Sequence, residues 1–234
     1  LAMSVEFAEQ HEGLTFRTAT LADSDAICRL CLADFYPRMP LFRHLNATEA
    51  SDVETTLAML PAVLGQGASL VAVDSDSGEL VGARLSTVES SAFKQPLLTD
   101  STLAARYPKH SLVVRLVDHV ESLVDWSNLY PEARRALAFR LLVVKATHGR
   151  RGIGRRLVEC SLRLAAQRLD IPLAVGSTES RHSQRIYEKL GFQRLASVDY
   201  RQYTDSVSGE QPFAALAETT EHTEAVMFAR STRD

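Results

Sequence analysis

Apolar and polar positions follow two rhythms along this chain, and their order predicts a mixed α/β fold. A short alternating stretch, Leu14-Thr15-Phe16-Arg17, comes first. Helical spacing follows from about Leu21 to Phe35, with Thr20 placed to cap it and Asp23 and Asp25 in the first turn, where the helix dipole favours acids. Pro37 and Pro40 break that run, and a second helix from about Thr48 to Leu64 ends near Gly65 and Gly67. Leu70 to Val73 and Leu80 to Val88 flank the turn-rich Asp74 to Gly78 and read as a hairpin. Residues 89–110 are mixed and polar and read as a long loop, the kind of insertion that often shapes a substrate site.

His110 to Trp126 returns to helical spacing, with Leu112, Val113, Leu116, Val117, Val120, Leu123 and Val124 on one side. Ala136 to Ala146 is the strongest strand, and its apolar run from Leu141 to Val144 suits a central position. A helix from about Gly154 to Leu169, a strand from Ile171 to Gly176 and a helix from Ser180 to Leu190 follow, the last closed by Gly191. Strands near Gln193–Tyr203 and Glu224–Ala229 end the pattern. No repeat and no Pro- or Ser-rich linker divides the chain. One domain over residues 14–234 is expected. Residues 1–13 read as an extension, partly disordered or tag-derived, because the first methionine stands third.

Composition narrows the function more than the fold. The 234 residues are 45% hydrophobic and 24% charged, ordinary for a chain that buries a core without staples. A net charge of −3 argues against nucleic-acid binding, which needs a basic surplus, and suits a cationic small molecule. Three cysteines, Cys28, Cys31 and Cys160, make no disulfide framework and point to a reducing, cytoplasmic setting. Cys28 and Cys31 form a CxxC inside a helix without a second ligand pair, and read as small apolar residues. No secretory segment or membrane span is expected. The scattered histidines and cysteines give no metal-ligand spacing. A monomer or weak dimer is expected.

The chemistry concentrates after the central strand. Gly149-Arg150-Arg151-Gly152-Ile153-Gly154 opens directly into a helix, so unpaired backbone N–H groups and the helix dipole converge on one place. Gly152 and Gly154 allow a pyrophosphate to approach the backbone, and Arg150, Arg151, Arg155 and Arg156 add charge. The spacing is neither a Rossmann fingerprint nor a Walker A loop. About a strand and part of a helix later comes Tyr187-Glu188-Lys189-Leu190-Gly191-Phe192.

The two motifs together resemble the GNAT superfamily of acyl-CoA-dependent N-acyltransferases. Gly149 departs from the Arg or Gln usual there, with Arg150 next door. The resemblance implies a single domain whose mixed, mostly antiparallel twisted sheet has splayed fourth and fifth strands, counting from Leu14. It also implies acetyl-CoA as co-substrate, with pantetheine along Leu142, Val143 and Val144, the pyrophosphate on residues 149–155, and further contacts from Ser183, Tyr187 and Lys189. Pro40-Leu41, Leu129-Tyr130-Pro131, Ser183 to Phe192 and His222 ahead of Ala225-Val226-Met227 are similar to the insect-type arylalkylamine N-acetyltransferases. In that branch an acid precedes Pro-Leu as the general base. Here Met39 stands there, and a thioether takes no proton from an ammonium group. The strand histidines of the vertebrate branch correspond to Arg140 and Lys145.

Acetyl transfer needs a neutral amine, a polarised carbonyl and a leaving thiolate. The resemblance assigns the carbonyl to a strand amide at Val143 or Val144 and the thiolate's proton to Tyr187. For the base, Glu179 after the fifth strand is a candidate, and a solvated loop residue is its other reading. His182, His44 or a water chain remain open, His148 reads as a cap of the phosphate turn, and Asp34 reads as a cation attractor or helix surface. The expected acceptor is a primary amine such as serotonin, dopamine, octopamine or tyramine, held by Phe35, Tyr36, Phe42 and either Trp126 or Tyr130. A polyamine, agmatine or amino acid is the alternative, as is a non-catalytic acyl-CoA-binding protein.

Overall fold

A computed structural model describes residues 6–47, 50–91 and 105–233. These residues form one eight-stranded sheet. Its strands are β1 Ala8–His11, β2 Leu14–Thr18, β3 Leu70–Asp74, β4 Leu80–Ser90, β5 Arg135–Val144, β6 Leu173–Thr178, β7 Gln193–Asp199 and β8 Glu224–Ser231, in the order β1-β2-β3-β4-β5-β6-β8-β7. Neighbours are antiparallel except β5 and β6, which are parallel. The expected mixed, mostly antiparallel sheet is therefore present. The splayed strands are β5 and β6 here, because one more strand precedes them.

That extra strand is β1, inside the stretch read as an extension. Its residues, Ala8-Glu9-Gln10-His11, show no apolar alternation, so the pattern is silent. It is held by pairing with β2 and by Glu9, which binds Arg156 and Arg163 across the sheet.

Helices cover both faces, as period-2 strands require. Val71 of β3 faces one side, with Ile27, Leu60, Val113 and Leu116, while its neighbours Leu70 and Ala72 face the other, with Ile153, Leu157 and Leu164. The first side carries α1 Ser24–Leu30, α2 Pro40–Leu45, α3 Ala50–Leu64 and α4 Pro108–Ser122. The second carries α6 Ile153–Leu164 and α7 Arg181–Lys189; short helices α5 Trp126–Leu129 and α8 Ala214–Thr219 complete the set.

The stretch from Leu21 to Phe35 is helical throughout, but in three geometries. It opens as a 3-10 turn, and Asp23 accepts the Thr20 backbone N–H at 2.8 Å. It ends as a π turn, Cys31–Phe35, with Tyr36 N–H donating to the Cys31 carbonyl. The helix expected over His110–Trp126 stops at Ser122, which leaves Leu123 exposed rather than on the packed side. The polar stretch 89–110 is partly strand, since β4 reaches Ser90, and partly helix from Pro108. Residues 92–104 lie outside the described residues, as do 48–49 at the expected start of α3.

Candidate functional site

The site begins where β5 and β6 part. Their parallel register covers three pairs, Ala136 with Leu173, Leu137 with Ala174 and Ala138 with Val175. Beyond them β5 runs on to Val144 with no strand paired on that side among the described residues. At the fork a Cβ on Gly176 would lie 2.8 Å from the Phe139 Cβ, so only glycine permits this approach. On the other side of β5 the ladder to β4 steps from Leu85–Leu141 to Ser86–Phe139, which leaves Arg140 as a bulge residue.

The ladder also decides which strand amides are free. Lys145 N–H bonds the Val81 carbonyl on β4. Antiparallel alternation then turns the backbone of Val143 toward β4 and that of Leu142 and Val144 into the fork. The Val144 carbonyl confirms the direction, because Arg38 donates to it from the cleft side at 3.2 Å. Of the amides of Val143 and Val144, the register turns that of Val144 into the fork.

Next along the chain, the turn supplies a helix N-terminus. Gly152 caps α6 at φ 75°, and Arg150 takes a left-handed φ of 62°. No side chain caps this helix, so its first amides stay available. A methyl on Gly154 would enter the space between Leu142, Val144 and Ile186. These features fit a pyrophosphate and its pantetheine arm.

One cleft of about 970 Å³ joins fork and turn. Leu142, Val143, Val144, Gly149, Arg150, Gly152, Ile153, Gly154, Arg155, Glu179, Ser183 and Tyr187 line it, together with Met39. Two residues expected at the cofactor are elsewhere. Arg151 points away and donates to the Glu12 carbonyl at 3.4 Å, and Lys189 is exposed on the last turn of α7.

Tyr187 is fully buried, and its ring stacks on Phe192 at 4.6 Å. Its oxygen accepts a hydrogen bond from Arg84 Nη2 at 2.6 Å. Burial pushes the phenol's pKa up, against the pull of the Arg84 charge, so the hydroxyl keeps its proton at neutral pH. Arg84 is a buried cation in β4, lying over the Phe139 ring at 3.9 Å with its Nε unpaired. Sequence reading passed it over, although a lone arginine inside an apolar strand is itself a signal.

Glu179 follows β6 at the cleft wall, and its carbonyl accepts from the buried Tyr200 hydroxyl at 2.7 Å. Burial raises its carboxyl from the usual 4.5 to about 7; the Ser177 hydroxyl opposes this and the nearby Glu121 adds to it. Such a group exchanges protons near neutrality.

The other named residues have partners of their own, and Asp34, His44, Arg140, His148, His182 and His222 also line the cleft. His44 shares a 2.9 Å hydrogen bond with the Pro212 carbonyl, and Asp34 accepts the Ala146 N–H at 2.8 Å, tying the π turn to the end of β5. His148 bonds Thr147 and faces Asp74. Arg140 is buried against Glu89, Glu121 and Thr87, and Lys145 pairs with Glu79. Ligand atoms of His182, Glu221 and His222 lie within 4.8 Å of one another. His222 Nδ1 already accepts the Arg181 N–H, and Glu221 accepts from Arg185. Of the expected aromatic wall, only Phe35 reaches the cleft. Tyr36, Phe42 and Trp126 are core residues, and Tyr130 bonds Gln193 away from the cleft.

Residues 109–194 match the family model described as the acetyltransferase (GNAT) domain. Solved structures with the same architecture include a putative arylalkylamine N-acetyltransferase 7 from the yellow fever mosquito Aedes aegypti, with TM-score 0.79 and 16% identity over 97% of this chain and 93% of that one. A mutant agmatine N-acetyltransferase gives 0.75 and 22% over 94% and 100%. The Drosophila melanogaster polyamine N-acetyltransferase, described as forming N-acetylagmatine, gives 0.73 and 22% over 93% and 99%. At these identities the structures establish a shared fold. The match to the GNAT acetyltransferase model thus covers residues 109–194, and the fold shared with these acetyltransferases extends over most of the chain. No described helix is long and apolar enough to cross a membrane.

Proposed function

We propose that this protein transfers an acetyl group from acetyl-CoA to a small primary amine, with Glu179 as general base and Tyr187 as general acid. The observation that carries this is the shared cleft. It brings the free backbone of Leu142 and Val144, an uncapped helix N-terminus, a carboxyl that titrates near 7 and a buried protonated phenol to one place.

Acetyl-CoA, when bound, supplies an activated thioester carbonyl. The first amides of α6, with Arg150 and Arg155, hold the pyrophosphate. The Val144 N–H donates to the carbonyl oxygen as charge develops there. Glu179 accepts a proton from the ammonium group, which frees the nitrogen lone pair. Tyr187 donates its proton to the departing sulfur, Arg84 stabilises the phenolate that remains, and the second proton shed by the attacking nitrogen restores the phenol. Glu179 thus takes the task that Met39 cannot perform.

Arylalkylamines such as serotonin, dopamine, octopamine and tyramine are one acceptor class. The placement of Tyr36, Phe42 and Trp126 in the core favours the other, an aliphatic amine such as a polyamine or agmatine, since Phe35 alone among them lines the cleft.

The test is a free-thiol assay with acetyl-CoA and an amine panel. Thiol release with aliphatic diamines or agmatine, and little with tryptamine or phenylethylamine, is the expected result. The reverse order would restore the arylalkylamine reading. Acetyl-CoA binding with no thiol release on any amine would leave only an acyl-CoA-binding protein, and no binding at all would overturn the reading.

A further inference from the structure

Behind the base lies a second carboxylate. Ser177, on the last turn of β6, lines the cleft, and its Oγ donates to Glu121 Oε1 on α4 at 3.1 Å. Glu121 itself does not line the cleft, and 24% of its side chain reaches solvent. Its other oxygen accepts from Arg140 Nη1 at 3.3 Å. Arg140 is fixed in turn by Glu89 and by Thr87 Oγ1 at 3.0 Å. One carboxylate therefore faces substrate, one faces solvent, and a hydroxyl stands between them.

We propose that Glu121, acting through Ser177, is a positioning residue that tunes Glu179 and carries the substrate's proton out to water. The inference rests on Glu179 being the base. A serine hydroxyl has a single proton, and here Glu121 holds it. Glu121 thereby competes with ionised Glu179 for the one donor, whose hydrogen bond lowers the proton affinity of Glu179. The proton passes in balanced steps. The ammonium N–H bond breaks as the Glu179 O–H forms. Ser177 then takes that proton as its own moves to Glu121, and Glu121 releases it to solvent. The bulge at Arg140 brings the guanidinium to Glu121, which keeps the resting charge of that carboxylate tolerable.

The groups facing this pair are few. Arg84 from β4 and Tyr187 from α7 act on Glu179, the Tyr200 hydroxyl holds its carbonyl, and Asp118 sits beside Glu121 on α4. Both links of the chain bear on Glu179 in opposite senses: Glu121 raises its proton affinity and the Ser177 hydroxyl lowers it.

The experiment is the pH profile of kcat/KM, with the best amine of the panel, for wild type, Glu121→Gln, Glu121→Asp, Ser177→Ala and Glu179→Gln. In parallel, stability is measured against pH without substrate. Glu121→Gln should move the acid limb of the profile, and the matching step in stability, down by roughly one pH unit. Ser177→Ala should move both up, and Glu121→Asp should restore most of the wild-type position. Limbs that stay in place in both Glu121→Gln and Ser177→Ala would overturn the proposal. Should Glu121→Gln fail to fold because Arg140 loses a partner, Ser177→Ala decides alone. A limb that persists in Glu179→Gln would instead remove Glu179 as the base, and the proposal with it.

Discussion

Replacing Glu179 by glutamine separates the carboxylate's effect on stability from its effect on rate. In the folded chain the group titrates near 7, against 4.5 for an ordinary glutamate, chiefly because burial disfavours its charge. Between those values the folded state holds a proton that the unfolded state has lost. Stability therefore falls as pH rises through that window, and above about pH 7 the full penalty is present. Its size is about 3 kcal/mol, from about 1.4 kcal/mol per pH unit of separation. Glutamine keeps the shape and never ionises. Glu179→Gln should thus be more stable than wild type by about 3 kcal/mol at pH 8, and by less than about 1 kcal/mol at pH 5. For a chain of this length the pH 8 difference is roughly 6–12 °C in Tm. Over the same range kcat/KM at pH 8 should fall by about 10²-fold, the usual scale for losing a general base. Thermal melts at the two pH values, with initial rates from the thiol assay, check both. Equal Tm differences at pH 5 and pH 8 would show that Glu179 ionises normally, and the electrostatic reasoning would fail. A gain in Tm with an unchanged rate would leave the carboxylate buried but idle.

Tyr187→Phe should lower turnover by about 10²-fold with acetyl-CoA affinity nearly unchanged, as titration calorimetry can show. The same variant leaves Arg84 Nη2 without its acceptor, so a loss of about 1–3 kcal/mol in urea unfolding is expected as well. Arg150→Gly relieves a left-handed residue at φ 62° and should stabilise the fold by about 1 kcal/mol while weakening acetyl-CoA binding roughly tenfold. Loss of stability in that variant would mean the arginine side chain holds the turn. Gly176→Ala forces a methyl to 2.8 Å from Phe139 and should cost about 1–3 kcal/mol, read from Cm. Wild-type stability there would mean the fork yields readily.

What could be read from the sequence was local. The turn from Gly149 to Gly154 announces itself because its glycines, its charge and the helix after it are contiguous. The stretch Tyr187 to Phe192 is legible for the same reason, and the two give the fold of most of the chain. Contacts between distant positions were not legible. Arg84 meets Tyr187 across 103 residues, and Ser177 meets Glu121 across 56. Strand β1 carries no apolar alternation and is held by its ladder to β2 and by one glutamate that pairs with two arginines far along the chain. The aromatic wall was misjudged for a related reason. Aromatic residues near a helix end serve a core as well as a pocket, and the rings of Tyr36, Phe42 and His110 pack with centroids 4.9 to 6.3 Å apart.

The loss of an acid at position 39 is then a statement about where a base can sit in this cleft. Met39 caps α2 and is packed in the core, so a carboxylate there would face apolar neighbours and the adjacent Pro40. Glu179 follows β6 and lines the same cleft. Burial there raises the carboxyl toward neutrality, the range in which the proposed base has to take a proton from an amine. An exposed glutamate would ionise near 4.5 and be a far weaker base. The same burial would trap the proton once taken, unless a polar route led away. In the proposed relay Ser177 and Glu121 form that route, joined by a hydrogen bond of 3.1 Å.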